Sequence, residues 1–287
     1  MSSPPGRVQG VALVTGGSRG LGRELARALL ARGFAVAIVA RGREALATAE
    51  RELARGAPGR VAAWPCDVGD AAQCREAVER VVETFGRLDL LANCAGTIGV
   101  APIERQARAD FEASLAVHLY GPLALMIAAR DALVRAGRGR IVNVAAIEGL
   151  IGVPRLAATV AGKFALVGVS QSLAAEWRGL GIRVTLVCPG FIRPPRSEAG
   201  GAPATPMPRW VALAARSSLA SIGRERAARR ILAASDRGQA RLVLTPLARV
   251  LFLWGALAPG SLARFAAWAD RRAWRGAADP GNTHAAG

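Results

Sequence analysis

Short apolar runs alternate with helix-length stretches through the first two-thirds of the chain, and this alternation constrains the fold more than any other feature. The runs are Val11–Thr15, Phe34–Ala40, Val61–Pro65, Leu88–Ala92, Arg140–Ala145 and Arg183–Cys188. They read as continuous apolar segments, as strands buried on both faces do. Between them, Leu21–Arg32, a charged stretch ending at Arg55, Ala71–Phe85, one long helix Asp110–Arg135 and Thr159–Arg178 are predicted helical. Strict β/α alternation builds a parallel sheet covered on both sides. The expected fold class is therefore α/β, a doubly wound parallel sheet of about seven strands with helices on both faces. A helix at Arg224–Ser235 and a strand at Arg241–Leu244 would close it, and Phe191–Pro208, rich in proline, reads as a long irregular binding loop.

Composition bounds the rest. Hydrophobic residues make up 52% of the 287 and charged residues 21%, which excludes a disordered chain and supports one large core. Residues 1–245 are expected to form that domain and residues 246–287 an apolar-basic tail. Cys66, Cys74, Cys94 and Cys188 show no paired spacing and there are two histidines, so neither a disulfide framework nor a metal site is expected. A reducing, cytoplasmic compartment fits this cysteine usage. The first ten residues are polar and Val11–Val14 is too short to act as a secretory h-region. The formal net charge of +17 is read as solvated arginine faces, not as a nucleic-acid surface. Of 38 basic residues one is lysine, Lys163, and the rest are arginine. A lone lysine against such a bias points to chemistry that needs a compact ammonium.

Thr15-Gly16-Gly17-Ser18-Arg19-Gly20-Leu21-Gly22 joins the first strand to the first helix. Glycines there let the backbone turn and approach a phosphate, and the helix N-terminus offers free N–H groups. This is the Rossmann-type arrangement. At the end of the second strand such a fold places the residue that reads the adenosine ribose. Here the chain has Ala40-Arg41 and no carboxylate, so Arg41 and Arg19 are expected to clamp a 2′-phosphate, and the cofactor is expected to be NADP(H).

From Val11 to Ile192 the chain resembles the classical branch of the short-chain dehydrogenase/reductase family. Thr15–Gly22 is similar to its TGxxxGxG loop. Asp67-Val68 resembles the pair beside adenine. Asn93-Cys94-Ala95-Gly96 resembles its NNAG motif with cysteine for the second asparagine, and Pro189-Gly190, with Ile192, its turn beside the nicotinamide. Lys163 stands at the YxxxK lysine, which in the family bonds the nicotinamide ribose and lowers the tyrosine pKa. The resemblance implies a small-molecule substrate and a homodimer or homotetramer built on the two long helices.

The catalytic positions depart from that pattern. Carried over position by position, the tyrosine is Thr159, the serine Ala146 and the asparagine His118, so of four residues only Lys163 remains. Ala146 cannot bond a substrate oxygen, and Thr159 is a whole ring shorter than tyrosine. Two substitute acids are considered: His118, whose imidazole can donate a proton near neutrality, and Glu148, which burial would raise in pKa. Each has a plain alternative, a core histidine and a solvated loop charge. Tyr120, the only tyrosine, points away from His118 two residues earlier and reads as packing. Three readings stay open: an NADP(H)-dependent oxidoreductase with an altered proton relay acting on an apolar molecule, which could also reduce a cationic iminium without an acid; a cofactor-binding pseudoenzyme with a scaffolding or regulatory role; and a non-redox cyclase or isomerase.

The tail also divides two ways. Arg241–Pro259 is interrupted by Arg241 and Arg249 and broken by Pro246 and Gly255, so it should not span a bilayer. Beyond it, Ser261 can cap a helix with Leu262, Phe265, Ala266, Ala269 and Ala273 on one face and Arg264, Arg271 and Arg275 opposite, Trp268 beside them. That face either lies on an anionic membrane, making the protein peripheral to it, or packs on the domain, a partner subunit or the pocket.

Overall fold

The computed structural model describes residues 8–193 and 217–273. Strands β1 (Gly10–Thr15), β2 (Phe34–Ala40), β3 (Val61–Pro65), β4 (Leu90–Asn93), β5 (Arg140–Val144), β6 (Arg183–Cys188) and β9 (Arg241–Val243) form one parallel sheet in the order β3-β2-β1-β4-β5-β6-β9. The order reverses at β1, and ligands of doubly wound sheets bind beyond the strand ends at such a switch point. A second, two-stranded parallel pair joins β7 (Phe191–Arg193) to β8 (Ser221–Gly223).

Side-chain alternation along the strands feeds two cores. Ala12, Val14, Val36 and Ile38 face helices α1 (Gly20–Ala31), α2 (Arg43–Ala54) and α7 (Arg224–Asp236). Val11, Leu13, Ala35 and Ala37 face α3 (Ala71–Phe85), α5 (Gly121–Arg135) and α6 (Ala157–Glu176). Both sets are essentially buried, which is why the strand sequences lack polar alternation. Asp70 starts α3 by accepting the N–H groups of Ala72 and Gln73, and Gly86 ends it in the left-handed region.

Several boundaries differ from expectation. The fourth strand begins at Leu90, because Leu88 already serves the core from the preceding turn. The long helix is not continuous: α4 (Arg108–Leu115) passes through a π turn at Ala116–Tyr120 into α5. Phe191–Arg193 is strand, not loop; residues 194–208 and Trp210 lie outside the described residues. Gly255 does not break the tail. Helix α8 (Pro246–Leu257) carries it in its last turn, where a Cβ would sit 3.0 Å from Ile151 Cγ2 and 3.1 Å from Leu262 Cδ2. Pro246 starts that helix, a position where its missing N–H is harmless. Helix α9 (Pro259–Ala273) follows after Ala258. Its Leu262 and Ala269 are buried and Ala266 is half-buried, but Phe265 is exposed, so the expected apolar face packs inward along one edge and stays open along the other. The side chain of Ala273 and all of Arg275 are outside the described residues.

Candidate active site

The cleft lies where β1, β2 and β4 end. Gly16 takes φ +65°, which glycine adopts without strain, and its Cα sits where a Cβ would fall 3.0 Å from the Ala95 backbone. Gly22 packs more tightly still: a Cβ there would lie 2.4 Å from the Gly16 carbonyl oxygen. The Thr15 hydroxyl accepts the N–H groups of Cys94 and Ala95 at 2.9 and 3.0 Å, tying the glycine loop to the segment after β4. The result is a cleft of about 470 Å³. Of the residues expected at the cofactor, Gly16, Ser18, Arg19, Gly20, Leu21, Arg41, Val68, Ala95 and Gly96 line this cleft, joined by Gly22, Gly42, Cys66, Cys94, Thr97 and Val117 among others. The first turn of α1 opens on it, with Arg19 as the residue before the helix.

Other expected cofactor residues stand outside this lining. The Asp67 carboxylate accepts the Gly69 N–H at 2.9 Å, so it closes a turn while its neighbours Cys66 and Val68 face the cleft. Asn93 is buried; its Nδ2 donates to Asn143 Oδ1 at 2.8 Å, and Asn143 in turn donates to Ser170 Oγ at 2.9 Å. It therefore clamps β4 to β5 beneath the cleft floor. Pro189 accepts the Ile147 N–H at 2.9 Å, and Gly190 lets Thr245 approach where a Cβ would lie 2.5 Å from its Oγ1. Ile192 belongs to β7 and packs on the core face shared with α1 and α7.

Lys163 lies beside Gly96 of the cleft lining. It is buried on α6 and its Nζ donates to the Val144 carbonyl at 3.0 Å. Gly96 of the cleft wall stands next to that ammonium: a Cβ there would be in ordinary contact with the Nζ at 3.6 Å and closer, at 3.3 Å, to His118 Nε2. Burial pushes the Lys163 ammonium down to about 8, against the pull of Glu148, Cys94 and Cys188. Glu148 sits on a short turn, Ile147–Gly149, held close to α6 because Gly149 lies against the Lys163 carbonyl. Desolvation raises its carboxyl pKa, and Lys163 partly offsets the rise.

His118 does not look into the cleft as a free acid. The Ser114 hydroxyl donates to Ala158 O at 2.7 Å, which leaves its oxygen to accept from His118 Nδ1 at 3.1 Å. His118 Nε2 accepts the Thr97 N–H at 3.2 Å. Both nitrogens are thus engaged by a neutral ring, and burial, with Lys163 nearby, holds the imidazole down at about 3. A neutral ring at pH 7 has no spare proton to give from Nε2, so the geometry runs against His118 as the acid. Ser114 was not singled out from sequence, although its place four residues before His118 on a helix is the signal for such a pair. The Thr159 hydroxyl accepts the Gly99 N–H at 3.4 Å, and Ala146 offers no side-chain donor. Tyr120 is 57% exposed, on the outer side of the π turn. Among the described residues no cluster of metal-ligating side chains occurs.

Comparison with known proteins agrees with this geometry. Residues 10–201 match the short chain dehydrogenase family, whose members bind NAD or NADP, act on small molecules and often oligomerise. The D-threitol dehydrogenase of Mycolicibacterium smegmatis is 38% identical over 188 residues, 63% of this chain and 70% of that one. A 3-oxoacyl-(acyl-carrier-protein) reductase of Thermotoga maritima is 33% identical over 193 residues, 67% of this chain and 78% of its own. The crystal structure of a short-chain dehydrogenase from Streptomyces avermitilis superposes with a TM-score of 0.74 at 29% identity, covering 92% of this chain and 97% of the other. With the sheet order, the glycine loop and the buried lysine in place, the chain belongs to the short-chain dehydrogenase family.

Proposed function

We propose that this protein is an NADP(H)-dependent oxidoreductase that reduces the carbonyl of an apolar small molecule through an altered proton relay. The observation that carries the reading is the charge of the cleft. Arg19 and Arg41 line it, and no carboxylate does among the described lining residues. A 2′-phosphate meets two guanidinium groups there, whereas a free 2′-hydroxyl finds no acceptor of the usual kind. The glycine cradle, which a Cβ at Gly16 or Gly22 would fill, fits a pyrophosphate against the α1 N-terminus.

When bound, the reduced nicotinamide supplies a hydride to the carbonyl carbon. The carbonyl electron pair then rests on oxygen, which must take a proton. Glu148 is the group this chain offers: half-buried, raised in pKa, and within electrostatic reach of Lys163. Its carboxyl O–H gives the proton, and the Lys163 ammonium stabilises the carboxylate that remains. Lys163, anchored on Val144, also orients the nicotinamide ribose in this reading. His118, locked between Ser114 and Thr97, is a positioning residue. The test is NADPH consumption against a panel of apolar ketones and aldehydes, run with the wild type and with Glu148→Gln. Turnover that survives Glu148→Gln would remove Glu148 from the relay.

One observation favours a second reading. The Thr159 hydroxyl, on a side chain a ring shorter than tyrosine, accepts the Gly99 N–H, and Ala146 lacks a hydroxyl, so neither familiar catalytic position carries its usual group. A cofactor-binding protein without turnover, acting as a partner or sensor, fits that loss. It predicts tight NADPH binding with no consumption across the panel.

A further inference from the structure

The pair α8–α9 turns an apolar surface away from the domain. On α8, Pro246, Val250, Leu253 and Leu257 recur at helical spacing along one stripe. Val250, Leu253 and Leu257 are 58%, 55% and 84% exposed, while Ala248 on the opposite side is buried. Trp254, one turn after Val250, extends this surface toward α9. Its ring centroid is 5.2 Å from that of Phe265, which stacks on Trp268 at 5.9 Å. Trp268 and Phe265 are themselves exposed.

Positive charge borders the patch. Arg264, Arg271 and Arg272 lie on the exposed side of α9, Arg272 over the Trp268 ring at 5.8 Å. Asp270 is the only acid in the two helices, and its carboxylate accepts Arg155 Nε at 2.8 Å. The pair is firmly seated on the domain. Arg155 adopts φ +65°, rare for arginine, where that ion pair and the Ala101 N–H both hold it. Gly255 fits against Ile151, and Thr245, which caps α8, fits against Gly190.

We propose that the outward face of α8–α9 docks on an anionic lipid bilayer, with both helices lying in the interface. Tryptophans at an apolar edge and arginines whose heads reach outward are what a headgroup layer accommodates. A second copy of this chain suits the face less well. A two-fold dimer through it would gather two copies of the Arg264, Arg271 and Arg272 cluster into one interface, in a chain of net charge +17. The pair is fastened to the Ile151–Arg155 segment, which follows the Ile147–Gly149 turn that carries Glu148. The docking proposal does not depend on the reductase reading; where both hold, the apolar substrate is drawn from the bilayer.

The experiment is sedimentation of the full-length protein with mixed phosphatidylcholine–phosphatidylglycerol vesicles and with phosphatidylcholine vesicles alone, at low salt. The wild type is expected to sediment with the anionic vesicles and about tenfold less with the neutral ones. Leu253→Asp with Leu257→Asp should weaken binding about tenfold, and each of Arg264→Glu and Arg271→Glu about fivefold. These side chains are exposed, so the fold should survive; if the apolar variant nevertheless unfolds, the arginine variants decide. The proposal is overturned if the wild type ignores anionic vesicles, or if both sets of variants bind as it does. It is equally overturned if the lipid-free protein is a dimer that Leu253→Asp splits, since the face then belongs to a second copy.

Discussion

A lysine keeps its charge inside a protein only where the surroundings repay part of its lost hydration, and Lys163 has the Val144 carbonyl and the pull of the Glu148 carboxyl to do so. Its ammonium therefore falls to about 8, from an ordinary value of 10.5. Between those two values the unfolded chain binds the extra proton, so this residue makes the fold more stable as pH rises from about 8 to 10.5. Cys94 and Cys188, both pushed up to about 12 by burial, act in the opposite sense above 9. The Lys163 contribution is isolated as the difference between wild type and Lys163→Met in urea melts across that window. The wild type should gain stability relative to the variant as pH rises; a constant difference would contradict the buried, depressed lysine. At Glu148 the expectation is kinetic. Glu148→Gln should lower turnover by about 10²-fold or more, the usual worth of a general acid, and change the NADPH dissociation constant little. In the wild type, turnover should fall as pH rises and the raised carboxyl loses its proton. Lys163 was legible in the sequence because it is the only lysine. The state of His118 was not, since a histidine's pKa depends on partners such as Ser114 and Thr97 that the fold brings to it.

At the scale of elements, the crossing of α6 over the π turn fixes the site's interior. Gly162 faces that turn: a Cβ there would lie 2.8 Å from Ser114 Oγ and 3.0 Å from His118 Cβ. Gly162→Val should therefore destabilise the fold by about 1–3 kcal/mol through overpacking, read as a lowered Tm. An unchanged Tm would mean that the two helices are free to separate. The strands, their parallel pairing and the glycine loop were all readable, because buried parallel strands leave continuous apolar runs and a phosphate cradle leaves glycines. The π turn was not, for Ala116–Tyr120 carries the same helical spacing as its flanks. Gly255 misled in the other direction. Glycine weakens a helix, but here it permits the contact with Ile151 and Leu262 that seats the tail. Which face of α9 packs inward likewise depended on what α8 left uncovered.

Across the whole molecule, a sheet of seven parallel strands places the cleft, the candidate acid and the tail beyond the C-terminal ends of its strands. Tyr120 and Ile127, seven residues apart, share an exposed face, and Phe164 of α6 is exposed as well. Oligomerisation through these helices predicts that Ile127→Glu shifts the protein to a smaller species in sedimentation velocity; an unshifted profile would place the subunit contact elsewhere. The cofactor remains the centre of the account, since the arginines at the cleft argue for a phosphate that NAD lacks. The decisive measurement is the dissociation constants of NADPH and NADH for the wild type, by fluorescence titration, alongside Arg41→Asp. NADPH should bind at least about tenfold more tightly, the worth of one or two charge-assisted hydrogen bonds, and Arg41→Asp should abolish or reverse the preference. Equal affinity for the two cofactors, or tighter binding of NADH, in the wild type would contradict it.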